Sequence, residues 1–320
     1  MMMNEQKIYV LGAGSVGLPL AAYLAMNGKS VVAVRTSRDD VPRERITATV
    51  QNDGHPDLSV AVDSVSLAQL DKLEGTVVVT AKSYANAAIA SALAQRRFDG
   101  PVVLMQNGMG VEQRFIEAQI ANIYRCVLYV TSQSTAEHHV LFRQIASCPI
   151  GTVRGDSTDL GRCTELLTTR EFRFHAEDNI DREVWKKTIV NCVFNSICPL
   201  LEVDNGIFVR NREAMLLAEE IVRECVILAN RKRIALTETE VVQQIIQISR
   251  GSAGVLISTL QDIRNGAPTE MECLNLALAR LSQSTEPKTD LSKTAMLGNL
   301  VLAKSKSQTV KGPTLEASEH

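Results

Sequence analysis

Strand-like and helical patterns of hydrophobic residues alternate through the first half of the chain. Short apolar runs that are typical of buried strands occupy residues 7–11, 30–34, 76–81, 101–105 and 124–131. Residues 15–27, 84–96 and 110–119 lie between these runs and carry helical periodicity. Such alternation predicts a parallel sheet that is covered by helices on both faces.

Further β-rich runs extend this sheet. Residues 45–50 and 59–62 predict two additional strands. Residues 138–143 and 149–154 are β-rich and flanked by polar residues, so we expect them to form a hairpin that is appended to the sheet.

The second half of the chain is helical almost throughout. Helical patterns cover residues 181–197, 212–231, 238–249, 255–264, 270–283 and 290–303. The change of pattern predicts an α/β domain over residues 1–178, followed by an all-α domain over residues 179–320.

Composition narrows the class of protein. The 320 residues are 45% hydrophobic and carry a formal charge of −2, which argues against a dedicated nucleic-acid-binding protein. The seven cysteines include no C-x-x-C pair, so we expect neither disulfides nor a metal site, and a reducing, cytoplasmic location.

Residues 8–26 are uncharged, but glycines and Pro19 interrupt them. They favour a strand followed by a helix over a membrane span or a signal peptide.

A glycine-rich loop joins the first predicted strand to the first predicted helix. It matches G-x-G-x-x-G, with Gly12, Gly14 and Gly17 at the glycine positions and Ser15 and Val16 between the last two. This context is typical of a Rossmann-type, doubly wound sheet that binds the pyrophosphate of a dinucleotide at the helix N-terminus. A glycine-rich turn that binds no ligand is the alternative.

The end of the next strand bears on which dinucleotide is bound. A site for NAD usually places an acidic residue there, whereas this chain has Arg35 and Arg38, which can bind the 2′-phosphate of NADP(H). The pattern therefore favours NADP(H). Asp39 and Asp40 follow closely and leave NAD as the alternative.

The first predicted helix of the second half carries a polar face. Lys187, Asn191 and Asn195 recur at a spacing of four residues and so share one side of an otherwise apolar helix. Buried polar side chains are costly unless they have partners, which favours a strip that lines a ligand site. A strip that is solvated, or that forms hydrogen bonds between domains, is the alternative. Lys186 is the neighbouring lysine if the helical register is shifted by one residue.

A later segment contributes further polar candidates. We expect Ser258 and Asp262 to close a helix, and Thr269 and Glu272 to form a capping box that opens the next one. Glu270 is not required by this cap, so it is a candidate site residue.

These motifs resemble those of the ketopantoate reductases (2-dehydropantoate 2-reductases) over essentially the whole chain. The matching segments, in chain order, are residues 12–17, 80–82, 106–110, 185–195, 258–262 and 269–270. The resemblance implies a Rossmann domain, a helical domain and a cleft between them. It also implies that NADPH reduces 2-dehydropantoate to (R)-pantoate, in the synthesis of pantothenate and coenzyme A.

The resemblance also implies roles for individual residues. Lys187 would be the general acid, and Glu270 its acidic partner. Asn191 and Asn195 would hydrogen-bond the substrate, and Ser258 would hold its carboxylate. Lys82 and Asn107 would lie where cofactor and substrate meet. The expected cofactor-binding residues are Gly12, Gly14, Ser15, Val16, Gly17, Arg35, Arg38, Lys82 and Asn107.

Two other functions remain open at this stage. The same chemistry could act on another branched 2-oxo acid, since residues 36–56 are irregular and Cys198 and Pro199 replace small polar residues that the family often has. A non-catalytic protein that senses NADP(H) or binds a partner is the alternative of a different class. We expect a small-molecule 2-oxo acid as substrate, no nucleic acid or membrane as partner, and assembly as a homodimer.

Overall fold

The computed structural model describes residues 6–36, 42–52 and 57–309. Within these ranges, no helix is long and apolar enough to cross a membrane. Arg38, Asp39 and Asp40, on which part of the cofactor prediction depends, lie outside the described residues. The described chain divides into two compact units, one within Met1–Asn107 and Val111–Ile180 and the other within Gly108–Gly110 and Asp181–His320.

The first unit is built on one sheet. Its strands are β1 (Ile8–Leu11), β2 (Val31–Arg35), β3 (Glu44–Gln51), β4 (Leu58–Ser66), β5 (Thr76–Val79), β6 (Val102–Leu104), β7 (Ile123–Cys126), β8 (Val130–Ala136), β9 (His139–Gln144), β10 (Cys148–Arg154) and β11 (Phe174–Ala176). Their order is β11-β10-β7-β6-β5-β1-β2-β4-β3-β9-β8. The segment from β7 to β4 is parallel throughout, as the alternation of strands and helices predicted. The two additional strands predicted near residues 45–50 and 59–62 are confirmed as β3 and β4.

In the described part of this unit, the sheet is accompanied by the helices α1 (Gly17–Met26), α2 (Asn86–Gln95), α3 (Gln113–Glu117) and α4 (Thr158–Leu167). α1 is apolar on every side, which is typical of a helix that is enclosed rather than laid on a surface. One side chain shows how it is enclosed: Tyr23 of α1 packs against Phe142 of β9, with ring centroids 5.7 Å apart. Phe142 in turn packs at 4.9 Å against Phe172, just before β11. The two ends of the sheet therefore approach each other around α1.

The predicted hairpin between residues 138–143 and 149–154 is wrong. β9 pairs instead with β8, through a turn in which His138 has a φ of 59°. β10 lies on the far side of the sheet, between β7 and β11. The predicted strand over residues 124–131 is in fact two strands, because the chain leaves the sheet after Cys126 and forms β8 from Val130. The run is apolar throughout, so its pattern did not mark this break.

The second unit is helical among its described residues. It contains α5 (Ile180–Leu201), α6 (Ile207–Arg210), α7 (Arg212–Arg231), α8 (Glu238–Gly251), α9 (Ser258–Arg264), α10 (Asn275–Ser282) and α11 (Ser292–Thr309). α7 and α8 begin with side-chain caps. Asn211 accepts from the backbone N–H of Ala214 at 2.8 Å before α7, and Thr237 accepts from that of Glu240 at 3.2 Å before α8. The core of the unit surrounds α5, whose Ile189 and Val193 are fully buried.

Three predicted helices of the chain are shorter in the structure. α3 covers only part of residues 110–119, and α9 begins at Ser258, so Ser258 opens a helix that it was expected to close. Residues 270–283 form a short 3₁₀ turn, Met271–Cys273, before α10 begins. The predicted capping box is wrong. Thr269 Oγ1 is buried and has no hydrogen-bond partner in the described part of the chain, and Glu272 accepts from Arg280 at 2.6 Å instead.

Candidate functional site

The glycine loop connects β1 to α1, and each glycine meets a different steric environment. Gly12 has a φ of 114°, and a side chain there would collide with the backbone of Ala81. A side chain at Gly17 would collide with the carbonyl oxygen of Gly12, so this position needs glycine for packing. At Gly14 a Cβ would meet nothing within 4 Å, which leaves open space over the loop. The loop is therefore accessible at Gly14 and closely packed at its two ends.

Two hydroxyl groups hold this loop in place. Thr80, just after β5, donates to the carbonyl oxygen of Gly12 at 2.7 Å. Ser132 of β8 donates to the carbonyl oxygen of Ser15. Val16 occupies the N-cap of α1 without a side-chain cap, and the N–H of Leu18 already donates to the carbonyl oxygen of Gly14 at 3.0 Å. The sequence did not reveal Ser132, because it lies 117 positions from Ser15 and carries no motif.

Arg35 ends β2, and its guanidinium already donates two hydrogen bonds within the protein. Its Nη1 donates to Oε1 of Glu44 at 2.5 Å, and its Nη2 donates to the carbonyl oxygen of Pro42 at 3.0 Å. Nε of the same guanidinium is buried and lacks a partner among the residues that the structure describes. Glu44, the first residue of β3, was not among the sequence candidates. An acid that is nine residues away on another strand leaves no signal in a local pattern.

Lys82 and Asn107 follow neighbouring parallel strands, β5 and β6, at their carboxyl ends, which is where open α/β sheets bind ligands. Both side chains are half-buried. A pair of buried amides connects the two loops. Asn86 Nδ2 donates to Gln106 Oε1 at 3.0 Å, and Gln106 Nε2 returns a bond to Asn86 Oδ1 at 2.7 Å.

The same two amides also reach the backbone of both loops. Gln106 Nε2 donates to the carbonyl oxygen of Ala81, next to Lys82, and Asn86 Nδ2 donates to that of Val111 at 2.8 Å. The loop that carries Lys82 and the loop that carries Asn107 are therefore joined by side-chain hydrogen bonds in the interior of the first unit. The local sequence pattern predicts no role for Gln106 or Asn86, because their partners lie 20 or more positions away.

α5 carries the polar face that the sequence predicted. Lys187 is half-buried, whereas Asn191 is 7% and Asn195 is 4% exposed. Most side chains around them are buried and apolar, and Thr188 and Ser196 are buried hydroxyl-bearing residues on the same helix. Lys186 is occupied elsewhere, because its Nζ lies 3.0 Å from Oε1 of Glu183. The helical register thus groups Lys187, rather than Lys186, with the two asparagines.

α9 supplies two hydroxyl groups to this face. Thr259 Oγ1 donates to Asn195 Oδ1 at 2.8 Å, and Ser258 Oγ lies 3.4 Å from the same oxygen. Ser258 is exposed, whereas Thr259 is buried. The structure therefore places Ser258 next to Asn195, and it adds Thr259, whose contact with Asn195 leaves no signal in the local sequence pattern.

Glu270 lies immediately before the 3₁₀ turn Met271–Cys273 in the second unit and is buried. Its carbonyl oxygen accepts from the N–H of Cys273 at 3.0 Å, which closes that turn. Because Glu272 is bound to Arg280, Glu270 is the buried carboxyl group of this segment.

The environments of the cysteines and of His175 do not favour a role for them in catalysis. All seven cysteines are free, and burial raises the pKa of Cys192, next to Asn191, well above its ordinary value. Such a thiol stays protonated and is a poor nucleophile. His175 of β11 is exposed, and its Nδ1 lies 2.9 Å from Ser147 Oγ. Over residues 6–36, 42–52 and 57–309, no three His, Cys, Asp or Glu side chains are grouped to hold a metal ion.

Family models match both halves of the chain. Residues 8–155 match the model described as "Ketopantoate reductase PanE/ApbA", and residues 179–305 match "Ketopantoate reductase PanE/ApbA C terminal". The chain is 29% identical over 280 residues to a 2-dehydropantoate 2-reductase of Halobacterium salinarum, which covers 85% of this chain and 90% of that protein. It is 27% identical over 278 residues to a 2-dehydropantoate 2-reductase of Pyrococcus abyssi, with coverages of 84% and 88%.

Solved structures share the fold. A PanE/ApbA family ketopantoate reductase of Ralstonia eutropha superposes with a TM-score of 0.82 at 19% identity, covering 94% of this chain and 99% of that one. A D-mandelate dehydrogenase solved with NADH and anilino(oxo)acetate superposes with a TM-score of 0.81 at 21% identity and the same coverages. The chain therefore belongs to the ketopantoate reductase PanE/ApbA family, and it is a pyridine-nucleotide-dependent oxidoreductase of the 2-dehydropantoate 2-reductase type.

Proposed function

We propose that this protein reduces 2-dehydropantoate to (R)-pantoate with NADPH. The observation that carries this proposal is the polar face of α5, where Lys187, Asn191 and Asn195 align along a helix whose middle is largely buried and apolar. Curated relatives named 2-dehydropantoate 2-reductase, at 24–29% identity, support the choice of substrate.

We assign cofactor binding to residues 1–178 and substrate binding and catalysis to residues 179–320. The glycine loop would bind the pyrophosphate through the backbone of Gly14, Ser15 and Val16, with Gly12 and Gly17 shaping the turn. The open space at Gly14 and the uncapped first turn of α1 fit such a group. The bound nicotinamide supplies the hydride that reduces the ketone carbon.

Arginine side chains near the end of β2 support a preference for NADPH over NADH. Arg35 at the end of β2 would bind the 2′-phosphate, and its unpartnered Nε is a donor that fits an added anion. Arg38 would assist it. Lys82 and Asn107, which the Asn86–Gln106 pair holds near the strand ends, would contact the cofactor and the substrate where the two meet.

Lys187 would act as the general acid. As hydride reaches the carbonyl carbon, the ketone oxygen gains negative charge, and a nearby ammonium group stabilises that charge and donates its proton. Glu270 would serve as the acidic partner that orients this lysine, since a buried carboxylate favours a charged ammonium close to it.

Three polar side chains would bind the substrate. Asn195 would offer Nδ2, because its Oδ1 already accepts from Thr259. Asn191 would bond a hydroxyl or carbonyl oxygen, and the exposed Ser258 would donate to the carboxylate. These groups are neutral, so the ammonium of Lys187 would be the main positive charge that α5 presents to an anionic 2-oxo acid.

The test is NADPH oxidation at 340 nm with 2-dehydropantoate and a panel of other branched 2-oxo acids. We expect the highest kcat/KM with 2-dehydropantoate. A higher kcat/KM with another 2-oxo acid would overturn the substrate assignment and keep the reaction class. Tight NADPH binding without turnover of any acid would overturn the reductase activity and favour a sensing role.

Assembly and location are part of the same proposal. We propose that the protein acts as a homodimer in the cytoplasm, and a neighbouring structure describes a dimeric ketopantoate reductase from Staphylococcus aureus. Light scattering coupled to size-exclusion chromatography tests the dimer, and a monomeric mass would refute it.

A further inference from the structure

Arg35 and Glu44 form an ion pair across a strand. Arg35 ends β2 and is aligned with Ser66 of β4, while Glu44 opens β3 and is aligned with Ser64 of β4. Aligned residues share a face of the sheet, and so do residues two apart on one strand. The guanidinium therefore reaches over β4 to the carboxylate, with Nη1 2.5 Å from Oε1.

The place of this pair in the fold bears on cofactor choice. In doubly wound sheets, the residue that ends the second strand meets the 2′ position of the adenosine ribose. An acid there accepts a bond from the 2′-hydroxyl of NAD, whereas an arginine accommodates the 2′-phosphate of NADP. This chain brings both side chains to that place and binds them to each other.

One hydrogen-bond donor of the Arg35 guanidinium has no acceptor among the described residues. Nη1 donates to Glu44 and Nη2 to Pro42, whereas Nε is buried without a partner among the described residues. Ser64 Oγ on the same face is also buried, and it too lacks a partner in the described ranges. A buried donor without an acceptor is costly, and an added anion would relieve this cost.

The carboxylate of Glu44 opposes the binding of a phosphate by Arg35. A phosphate monoester carries a charge of roughly −1.5 to −2 at neutral pH, so it competes with Glu44 for Arg35 and is repelled by it. A ribose hydroxyl is neutral and can donate to the same carboxylate. Glu44 thus opposes the 2′-phosphate and tolerates the 2′-hydroxyl. Its side chain is 43% exposed and that of Arg35 18%, so water screens this effect only in part.

We infer that Glu44 is a cofactor-specificity residue, which weakens the preference for NADPH over NADH by occupying and neutralising Arg35. The inference rests on the proposed function in one respect, namely that Arg35 binds the 2′-phosphate. It adds a residue that neither the glycine motif nor the family resemblance singled out.

Direct binding of NADPH and NADH, without any 2-oxo acid, tests this inference. The change in nicotinamide fluorescence on binding gives a Kd for each cofactor in the wild type and in Glu44→Gln. The isosteric amide keeps a hydrogen-bond acceptor for Arg35 but removes the charge. We expect the Kd for NADPH to fall about tenfold and the Kd for NADH to change less than about twofold.

Glu74→Gln is the matched control. Glu74 pairs with Lys72 on the surface of the same unit, and it precedes β5, at the opposite end of the parallel strands from Arg35. This variant removes the same charge from the protein but should leave both Kd values unchanged. A ratio of the two Kd values in Glu44→Gln equal to that of the control would overturn the inference.

Arg35→Ala separates this inference from the proposed function. If Arg35→Ala weakens NADPH but Glu44→Gln leaves both Kd values unchanged, Arg35 binds the phosphate and the inference about Glu44 is wrong. If Arg35→Ala leaves the Kd for NADPH unchanged, the proposed phosphate contact fails, and the inference fails with it.

Discussion

Thr259 of α9 hydrogen-bonds the side-chain amide of Asn195 on α5. Its Oγ1 donates to Asn195 Oδ1 at 2.8 Å, and both side chains are almost fully buried, at 2% and 4% exposure. An asparagine amide can otherwise turn over and exchange its donor for its acceptor. Since Oδ1 accepts from Thr259 in this arrangement, Nδ2 is the group that Asn195 would offer to the proposed substrate. Thr259 is thus a positioning residue behind a proposed substrate contact.

Removing this hydroxyl should raise the KM for the 2-oxo acid. Thr259→Val has nearly the same shape but cannot donate, so the amide of Asn195 is free to turn over. We expect KM to rise about tenfold, the upper range for one hydrogen bond, with the Kd of NADPH unchanged. Steady-state kinetics measures the KM, and fluorescence titration measures the Kd of NADPH. Thr259→Ser keeps the hydroxyl group, so it should restore the KM.

Thr285→Val is the control for this prediction. Thr285 is also buried and bonds the carbonyl oxygen of Ser282 at 2.8 Å, within the segment that precedes α11. It should lower the melting temperature without affecting KM. A similar rise in KM in the two variants would make the role of Thr259 merely structural.

Lys187→Ala should lower kcat far more than it changes cofactor binding. Loss of a positioned acid costs roughly 10²–10⁴-fold in rate. Lys186→Ala is the matched control, since its ammonium pairs with Glu183 3.0 Å away and should leave kcat within about twofold of wild type. Single-turnover NADPH oxidation measures the step directly. A larger loss in Lys186→Ala than in Lys187→Ala would show that the acid has been assigned to the wrong lysine.

The reciprocal bonds between Asn86 and Gln106 should give a large coupling energy. Either single substitution to Ala leaves a buried amide with an unpaired group, at a cost of about 1–3 kcal/mol in the free energy of unfolding. The double variant should cost less than the sum of the two, with an interaction energy of about 0.5–3 kcal/mol. Urea unfolding of the four proteins measures it, and strict additivity would exclude the coupling.

Asp204 should make stability depend on pH in the acid range. The hydrogen bond from Arg210 at 2.7 Å lowers the pKa of this carboxyl group, and backbone N–H groups of Gly206 and Gly254 assist. Since the pKa of the folded protein lies below the unfolded value of about 3.9, this contribution is full above that pH and disappears as pH falls.

The comparison is urea unfolding of wild type and Asp204→Asn between about pH 2.5 and pH 6. The amide cannot titrate, so the difference in stability between the two proteins should shrink as the pH falls. A difference that stays constant over this range would mean that Asp204 has the same pKa in the folded and unfolded states.

The sequence determined those features that depend on neighbours along the chain. Strand and helix alternation predicted the parallel sheet, G-x-G-x-x-G predicted the loop before α1, and the spacing of Lys187, Asn191 and Asn195 predicted one polar face of α5. Each of these follows from a fixed backbone period, which local order is enough to reveal.

Local patterns failed where one motif had two structural explanations. Thr269 and Glu272 have the spacing of a capping box, but the chain forms a 3₁₀ turn there and Arg280 binds Glu272. The same spacing suits a helix start or a turn, and the surrounding packing decides between them.

Only the tertiary structure decided which distant groups meet. β9 pairs with β8 and β3 rather than with β10, Glu44 pairs with Arg35, and Thr259 binds Asn195 from a separate helix. Strand pairing and side-chain contacts of this kind depend on how whole elements pack. No local period records that packing, so the residues that adjust the proposed site were visible only in the folded chain.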